Sequence, residues 1–244
     1  MTNTSTESGA APRVGLLSRF IGIITAPRAT FQSVAAHPGW LGMFAVTVAI
    51  TVLCTSGPMF TEWGQQAALD QNVRMMESIG QTIDDAAYAR MQMGMRFAAY
   101  TSGIAIIVLS PIMLVITSAI FYVIFSVAMG GNATFKQQIA VNVHAGVIPT
   151  LALLFATPLN YARGSLTSTT NFAVFFPMLD ENSFLARVLG LIDLFWIWYV
   201  IVLAIGLGVL YKRRTQPVAI VLLTVYALIA VCIALIRGMF GGTN

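Results

Sequence analysis

Long apolar stretches alternate with shorter polar segments along this chain. A helix needs about 20 predominantly apolar residues to cross the ~30 Å hydrocarbon core of a bilayer. Five stretches approach or reach that length, and we predict one spanning helix in each. These spans lie at approximately residues 40–56, 104–129, 139–157, 189–211 and 217–236. The predicted fold class is therefore an all-α integral membrane protein built on a bundle of five transmembrane helices.

The predicted spans are uneven. The first is short, because Pro38 and the Gly57-Pro58 pair bracket it. The second lies in a charge-free window, residues 97–132, which is too long for one perpendicular crossing and too short for two. We predict a single extended helix there, with Pro111 as a candidate kink. The fourth span contains Asp193.

The polar segments predict elements outside the hydrocarbon. Residues 1–12 have the composition of a disordered tail, and residues 13–240 are predicted to form one membrane domain. Apolar residues at helical spacing in residues 13–36 predict two short helices on the inner membrane surface, the second beginning at Pro27. The alternative is a lead-in to the first span that packs on the bundle.

The outer segment, residues 61–96, is predicted to form one or two amphipathic helices. Its Met91, Met93 and Met95 are soft ligands that suit copper(I). Alternate residues on a helix point about 200° apart, however, and cannot converge on one ion. Apolar packing is the expected role of these methionines, and no metal or cofactor is predicted.

Composition and charge exclude several classes of protein. Only 9% of the residues are charged, against about 25% in soluble domains, too few for a water-exposed surface. No stretch combines many basic residues with aromatic ones, which argues against binding to nucleic acid. Cys54 and Cys232 form no C-x-x-C motif and are expected to be free thiols.

The distribution of basic residues predicts an orientation, because cytoplasmic loops are enriched in lysine and arginine at the span ends. We predict that the N-terminus lies inside and the C-terminus outside. The inner segments then hold Arg13, Arg19, Arg28, Lys136, Lys212, Arg213 and Arg214.

A few polar residues fall within or beside the predicted spans, where ionisable groups are candidates for function. Asp193 is interpreted in two ways: as a bundle-locking group held by Arg96, by another outer arginine or by Trp and Tyr donors, or as a proton or cation site. Asn142 and His144, in the inner half of the third span, either bond to a neighbouring helix or line a cavity. No serine elbow, paired carboxylates, metal-ligand set or phosphate loop is present in the sequence, so no enzymatic activity is predicted.

Three groups of residues, taken in order, resemble the Yip family (Ypt-interacting protein domain), especially its bacterial members. The first is residues 26–31 followed by residues 37–38, the second is residues 130–137 leading into a helix with a proline, and the third is residues 193–198 followed by residues 203–207. The residues that carry the resemblance are Pro27, Arg28, Phe31, Pro38, Gly130, Gly131, Phe135, Pro149, Phe195, Trp198 and Gly206.

The resemblance implies five transmembrane helices, a cytosolic N-terminus, a non-enzymatic role and, for a bacterial member, location in the cytoplasmic (inner) membrane. Eukaryotic relatives interact with Rab-type GTPases, but the long acidic tail that such partners need has no counterpart before Arg13. Binding to a small GTPase is therefore not expected.

Two hypotheses for function remain. The first is a non-catalytic membrane-organising or protein-interaction module, with the bilayer, a membrane-protein partner or a second copy of the chain as its partners. The alternative is a small transporter or channel in which polar residues of the third and fourth spans line a cavity.

Overall fold

The computed structural model describes residues 15–77, 80–166, 170–180 and 183–240, and these are helical apart from turns and one isolated bridge. The polar tail predicted for residues 1–12 lies outside the described residues. The helices of the first half are α1 (Leu16–Thr25), α2 (Pro27–Ala36), α3 (Leu41–Ser56), α4 (Glu62–Glu77), α5 (Asp85–Met95) and α6 (Ala98–Tyr122). Those of the second half are α7 (Phe135–Ala145), α8 (Val147–Arg163), α9 (Phe184–Leu191), α10 (Leu194–Leu210) and α11 (Thr215–Phe240).

Four helical stretches in the described part of the chain are long and apolar enough to cross a bilayer. They are Leu41–Phe60, Ala98–Ala128, Phe135–Arg163 and Thr215–Ile236. They correspond to the first, second, third and fifth predicted spans, and they make the chain a multi-pass membrane protein. The remaining candidate, α10, is apolar but has 17 residues, about 25 Å at 1.5 Å per residue.

The fourth predicted span is not one continuous helix, and Asp193 does not lie inside a helix. α9 ends at Leu191 and α10 begins at Leu194, with extended backbone at Asp193. The physical reason is capping, because the Asp193 carboxylate accepts hydrogen bonds from backbone N–H groups of the first turn of α10. Hydropathy alone did not reveal this break, because the residues on both sides of Asp193 are apolar.

The third predicted span extends further at both ends. α7 begins with a capping box in which Thr134 and Gln137 satisfy each other's backbone N–H groups. α8 ends at Arg163 and is capped by Gly164, whose left-handed backbone (φ 65°) suits glycine. Pro149 lies in the first turn of α8, where a missing N–H breaks no helical bond. Every residue of α7 from Gln138 to Ala145 is buried, so α7 lies at the centre of the bundle.

The second predicted span is also longer than expected. α6 continues through Pro111 and is followed by a π-helical segment, Val123–Ala128. Much of the surface of this helix is exposed and apolar, as expected for a helix that faces lipid.

The two N-terminal helices predicted for residues 13–36 are present as α1 and α2, and both pack on the bundle. Ile23, Phe31 and Val34 are completely buried, and α2 contacts both α7 and α10. Leu17, on the other side of α1, is 72% exposed. One face of α1 and α2 therefore packs on the bundle, as the alternative interpretation of residues 13–36 has it.

α10 crosses α2 and α7 at Gly206, where there is no room for a side chain. A Cβ atom placed on Gly206 would lie 2.7 Å from Cγ1 of Val141 and 3.0 Å from ring atoms of Phe31. A glycine at this position lets three helices meet in the core, as small residues do at membrane helix interfaces.

The outer segment, residues 61–96, forms α4 and α5 as predicted, after a short 3₁₀ turn at Pro58–Phe60. α4 buries Ala67 and Leu69, whereas α5 buries none of its residues. Asp84 caps α5 by accepting a hydrogen bond from Ala87 N.

Candidate functional site

A chain of side-chain hydrogen bonds runs through the buried core between α6, α7 and the end of α10. Asn142 Nδ2 donates to Ser118 Oγ (3.0 Å), and Gln138 Nε2 donates to Asn142 Oδ1 (2.9 Å). At the other end, Tyr211 OH donates to Gln138 Oε1 (2.9 Å) and accepts from Ser126 Oγ (3.1 Å). The chain is enclosed, since Ser118 and Gln138 are completely buried.

Sequence reasoning selected Asn142 but missed its partners, Gln138, Ser118, Tyr211 and Ser126. Gln138 and Asn142 are four residues apart on α7, and this spacing puts them on one helical face. That spacing is the signal that could have identified Gln138. Asn142 uses both of its amide atoms in hydrogen bonds within the bundle.

His144 is completely buried on α7, and its Nδ1 lies 2.7 Å from the backbone oxygen of Ala140. Because a carbonyl oxygen only accepts, Nδ1 carries the proton and Nε2 is an acceptor. Among the described residues Nε2 has no hydrogen-bond partner. His144 and Asn142 are two residues apart and so point about 200° from each other on the helix, which does not make them one site.

Asp193 joins α9, α10 and α11. Its carboxylate accepts from the backbone N of Phe195 (2.8 Å) and of Trp196 (3.3 Å), and from Thr170 Oγ1. Tyr226 OH on α11 accepts from Asp193 N (3.1 Å) and donates to the backbone oxygen of Leu191 (2.9 Å). These contacts attach the turn at Asp193 to α11 through Tyr226, which bonds to backbone atoms of the turn.

Arg96 is one of the outer arginines named from the sequence as a possible partner of Asp193. Arg96 is exposed in the turn between α5 and α6. Sequence reasoning missed Thr170 and Tyr226. Both come from segments distant in sequence, and no short spacing links them to Asp193.

We expect Asp193→Ala to lower the free energy of unfolding by about 1 to 2 kcal/mol, because the first turn of α10 loses its cap. Asp193→Asn is expected to cost less than half as much, since asparagine also accepts hydrogen bonds at this position. Reversible unfolding in mixed micelles, followed by circular dichroism, measures both values. Asp84→Ala, at the exposed cap of α5, is the control and is expected to have the smaller effect. Equal losses for Asp193→Asn and Asp193→Ala would show that the charge matters, not the cap.

A group of cations lies at the end of the bundle where α10 turns into α11. Arg28, Lys212, Arg213 and Arg214 line a cavity of about 670 Å³ beside the first residues of α11. Arg213 also donates from Nη2 to the backbone oxygen of Met129 (3.1 Å), which attaches this turn to the end of the π-helical segment.

A second basic groove of about 580 Å³ contains Arg19, His37 and Lys136 around Trp40. Arg19 donates from Nη1 to the backbone oxygen of Gly39 (3.2 Å). The two groups of cations lie at one end of the bundle. Gln137, next to Lys136, donates a hydrogen bond to the backbone oxygen of Ala35. Gln137 and Ala35 also line a further cavity together with Lys212 and Arg213. We call these six cations and His37 the basic end. All the predicted inner cations except Arg13, which lies outside the described residues, belong to it.

The residues that carried the family resemblance have structural roles at the basic end and at the α10 crossing. Gly130 has a positive φ of 69°, and a Cβ on Gly131 would lie 2.6 Å from the backbone oxygen of Phe125. Both positions therefore require glycine. The aromatic rings of Phe135 and Tyr122 are in edge contact with centroids 5.6 Å apart. The remaining residues that carried the resemblance are Pro27 at the start of α2, Arg28 and Pro38 at the two basic cavities, Phe31 and Gly206 at the crossing, Pro149 in α8, and Phe195 and Trp198 in ring contact on α10.

The chain is similar to known membrane proteins over most of its length. The family model of the Yip1 domain matches residues 21–236. Membrane protein YknW of Bacillus subtilis is 27% identical over 254 residues, covering 98% of this chain and 99% of that protein. No solved structure matches. Because the matched region takes in most of the chain, from α1 to α11, the chain belongs to the Yip1 domain family of membrane proteins.

Proposed function

We propose that this protein is a non-catalytic, membrane-organising module that gathers anionic lipid headgroups at its basic end. The observation that carries the proposal is the convergence of Arg28, Lys212, Arg213 and Arg214 on one cavity at the end of an apolar bundle. Guanidinium groups bind phosphate oxygens through paired hydrogen bonds. Cations near an anionic leaflet contribute up to about 1 kcal/mol each.

The proposal takes the basic end as cytoplasmic, in a bacterial inner membrane, with the C-terminus outside. It also takes α10 as a fifth span. α8 leads the chain away from the basic end, and α10 returns it to Lys212, so α10 traverses the same bundle. Its length of about 25 Å is short of the ~30 Å hydrocarbon core, a mismatch that local thinning of the bilayer accommodates.

In this arrangement α1 lies at the inner membrane surface. Its exposed Leu16, Leu17 and Ile21 would enter the boundary of the bilayer, with Arg19 reaching the headgroups. The exposed apolar faces of α6 and α11 face lipid, and they also offer room for a membrane-protein partner or a second copy of the chain. Binding to a small GTPase is not part of the proposal.

The hydrogen bonds of the core support this function over transport. A transporter site at this depth needs polar groups that face a cavity. Asn142 bonds on both sides within the bundle, and His144 is completely buried. Five cavities in the described part of the chain are each lined by residues other than Asn142, His144 and Asp193.

We expect the double variant Arg28→Gln/Arg214→Gln to weaken the preference for anionic over zwitterionic lipid roughly tenfold, because two exposed cations are removed from the cavity. The measurement is native mass spectrometry of the protein released from bilayers that contain phosphatidylglycerol and phosphatidylcholine. The matched control is Arg74→Gln/Arg90→Gln, which removes the same charge from α4 and α5.

The control is expected to keep the wild-type preference. If both double variants lose the preference equally, net charge alone determines lipid enrichment and the proposed site is wrong. Since Arg28 and Arg214 are exposed, neither substitution is expected to unfold the bundle.

A further inference from the structure

An apolar surface lies at the end of the bundle opposite the basic end. It belongs to two elements, α9 and the 3₁₀ turn Phe172–Phe175 with residues 176–178 after it. Its exposed side chains, which we call the outer collar, are Val174, Phe175, Phe176, Met178, Phe184 and Leu185. Large exposed apolar patches mark sites of interaction with a membrane or with a protein partner. The depth of the collar in the bilayer decides between the two.

Hydrogen bonds attach the 3₁₀ turn to the break between α9 and α10. Phe172 N donates to the backbone oxygen of Ile192 (2.8 Å), and Leu194 N donates to that of Thr170 (3.1 Å). The 3₁₀ turn itself rises only about 6 Å at 2.0 Å per residue. It therefore stays near the depth of the break, and the position of the break in the bilayer locates this half of the collar.

Two helices measure the distance of the break from the basic end. α10 rises about 24 Å from Leu210 to Leu194 at 1.5 Å per residue. α11 rises about 17 Å from Thr215 to Tyr226, whose hydroxyl bonds to backbone atoms at the break. Both lengths are below the ~30 Å thickness of the hydrocarbon core, and tilting of either helix reduces the depth that it spans. With the basic end at the headgroups, the break lies at or below the far boundary of the core.

α9 occupies the remaining depth up to the headgroups. It packs on α11 and on the 3₁₀ turn. A Cβ atom placed on Gly238 would lie 2.8 Å from Nη1 of Arg187, so the guanidinium of Arg187 lies against the last turns of α11. Gly238 is about 35 Å along α11 from Thr215, which is more than the thickness of the core. α9 therefore extends from the break toward the headgroups, with the guanidinium of Arg187 at their level.

The backbone of the collar meets the demand that lipid makes on irregular structure. Within hydrocarbon, each backbone polar group needs a partner in the protein. Val174 N donates to Oδ1 of Asn171 (3.2 Å). Phe176 N donates to the backbone oxygen of Ala173 (3.0 Å), and Pro177 has no N–H group to satisfy. These positions of the segment do not depend on water for their hydrogen bonds.

The collar is also continuous with surfaces of the spans that face lipid. On α10 the exposed Leu194 and Trp196 follow directly after the break, and tryptophan is common at the boundary between hydrocarbon and headgroups. On α11 the exposed Leu235 and Ile236 lie within one turn of Gly238, which Arg187 contacts. Acyl chains that cover these helices reach the collar as well, which favours lipid over a protein partner.

We propose that the outer collar inserts into the leaflet opposite the basic end, where Phe175, Phe176 and Leu185 contact acyl chains. The inference rests on the proposed function in one respect, the placement of the basic end at the headgroups with α10 as a span. It does not require the basic end to select anionic lipid.

Spin labels on single cysteines test this depth in nanodiscs of phosphatidylcholine that hold one chain each, in a Cys54→Ala/Cys232→Ala background. Phe176→Cys and Leu185→Cys place one label on each element of the collar. Oxygen concentrates among acyl chains, whereas nickel ethylenediamine diacetate stays in water, so the ratio of their collision rates with the label reports depth. For both labels we expect a ratio several-fold above that of Gln81→Cys, which is exposed in the polar turn between α4 and α5.

Ile201→Cys and Val225→Cys, exposed near the middle of α10 and α11, supply the reading for hydrocarbon. A lipid-like ratio at Ile201→Cys with water-like ratios at both collar labels would overturn the proposal and leave α10 as a span. A water-like ratio at Ile201→Cys would overturn the placement of α10 on which the proposed function and the collar both rest. Loss of the lipid preference at the basic end is measured separately and changes none of these readings.

The spectra also distinguish lipid from protein contact. Collar labels that are immobilised and collide rarely with either reagent would show that protein covers the surface, and the proposal would be wrong. Because Phe176 and Leu185 are exposed and belong to different elements, each label serves if the other variant unfolds.

Discussion

Replacing Gly206 by leucine is expected to lower the free energy of unfolding by about 3 kcal/mol, the upper part of the range for overpacked cores. The first atom of the new side chain would already lie 2.7 Å from Val141 Cγ1 and 3.0 Å from Phe31. Val141 is branched at Cβ and Phe31 is completely buried, so neither can move aside without disturbing α7 or α2. The expected consequence is separation of α10 from both helices.

Reversible unfolding in mixed micelles, followed by circular dichroism, measures this loss. Gly190→Ala is the control, because a Cβ on Gly190 meets nothing within 4 Å, and its effect is expected to stay within about 0.5 kcal/mol. Gly206→Ala combined with Val141→Ala tests the mechanism. If Val141 is the obstacle, the two single losses do not add and the double variant is more stable than their sum predicts. Additive losses would contradict a direct clash between α7 and α10.

The order of the helices could be predicted from the sequence because hydropathy reports residence in the bilayer directly. Four of the five predicted spans coincide with helices long enough to cross. The boundary at Asp193 could not be predicted, because the apolar run continues on both sides and only the capping contacts make α10 begin there. For α10, hydropathy predicted a helix, and the hydrogen bonds from the first turn to the Asp193 carboxylate determine where that helix begins.

The sequence says less about which face of each helix points toward its neighbours. A helix that is apolar on all sides gives no hydrophobic stripe, so nothing in α6 shows that Ser118 faces Asn142. The edge contact of Trp63 with Tyr161, whose ring centroids are 5.1 Å apart, likewise joins α4 to the end of α8 without any short spacing in the sequence. Long-range pairing of this kind depends on packing, and one sequence does not reveal it.

The positions of the cations were more predictable, because lysine and arginine avoid the hydrocarbon and collect at span ends. Charge counting placed Arg19, Arg28 and Lys136 on the same side as Lys212–Arg214, and the fold brings them to one end. The sequence did not show that Arg28 and Lys212–Arg214 surround one cavity. That arrangement requires α2 to pack on α10, which follows from the fit of Phe31 against Gly206.

We expect Gln138→Leu to lower the free energy of unfolding by about 2 to 3 kcal/mol, because it leaves two buried groups without partners. The hydroxyl of Tyr211 would lose its acceptor, and Oδ1 of Asn142 would lose its donor. Leucine is close to glutamine in volume, so the change tests hydrogen bonding more than packing. Individual hydrogen bonds between membrane helices are often worth less, about 0.6 kcal/mol on average. The larger effect is expected here since one substitution breaks two bonds in an enclosed core.

A double-mutant cycle with Tyr211→Phe separates the two groups. Tyr211→Phe removes the hydroxyl that Gln138 accepts from, so in the double variant the phenyl ring no longer needs an acceptor. The combined loss is therefore expected to fall about 1 kcal/mol short of the sum of the single losses. Gln66→Leu on the exposed face of α4 is the control, with an effect within about 0.5 kcal/mol. Strictly additive losses, or a Gln138→Leu effect no larger than the control, would mean that the polar chain does not hold α7 to the end of α10. The buried face of α7 would then be held by apolar packing alone.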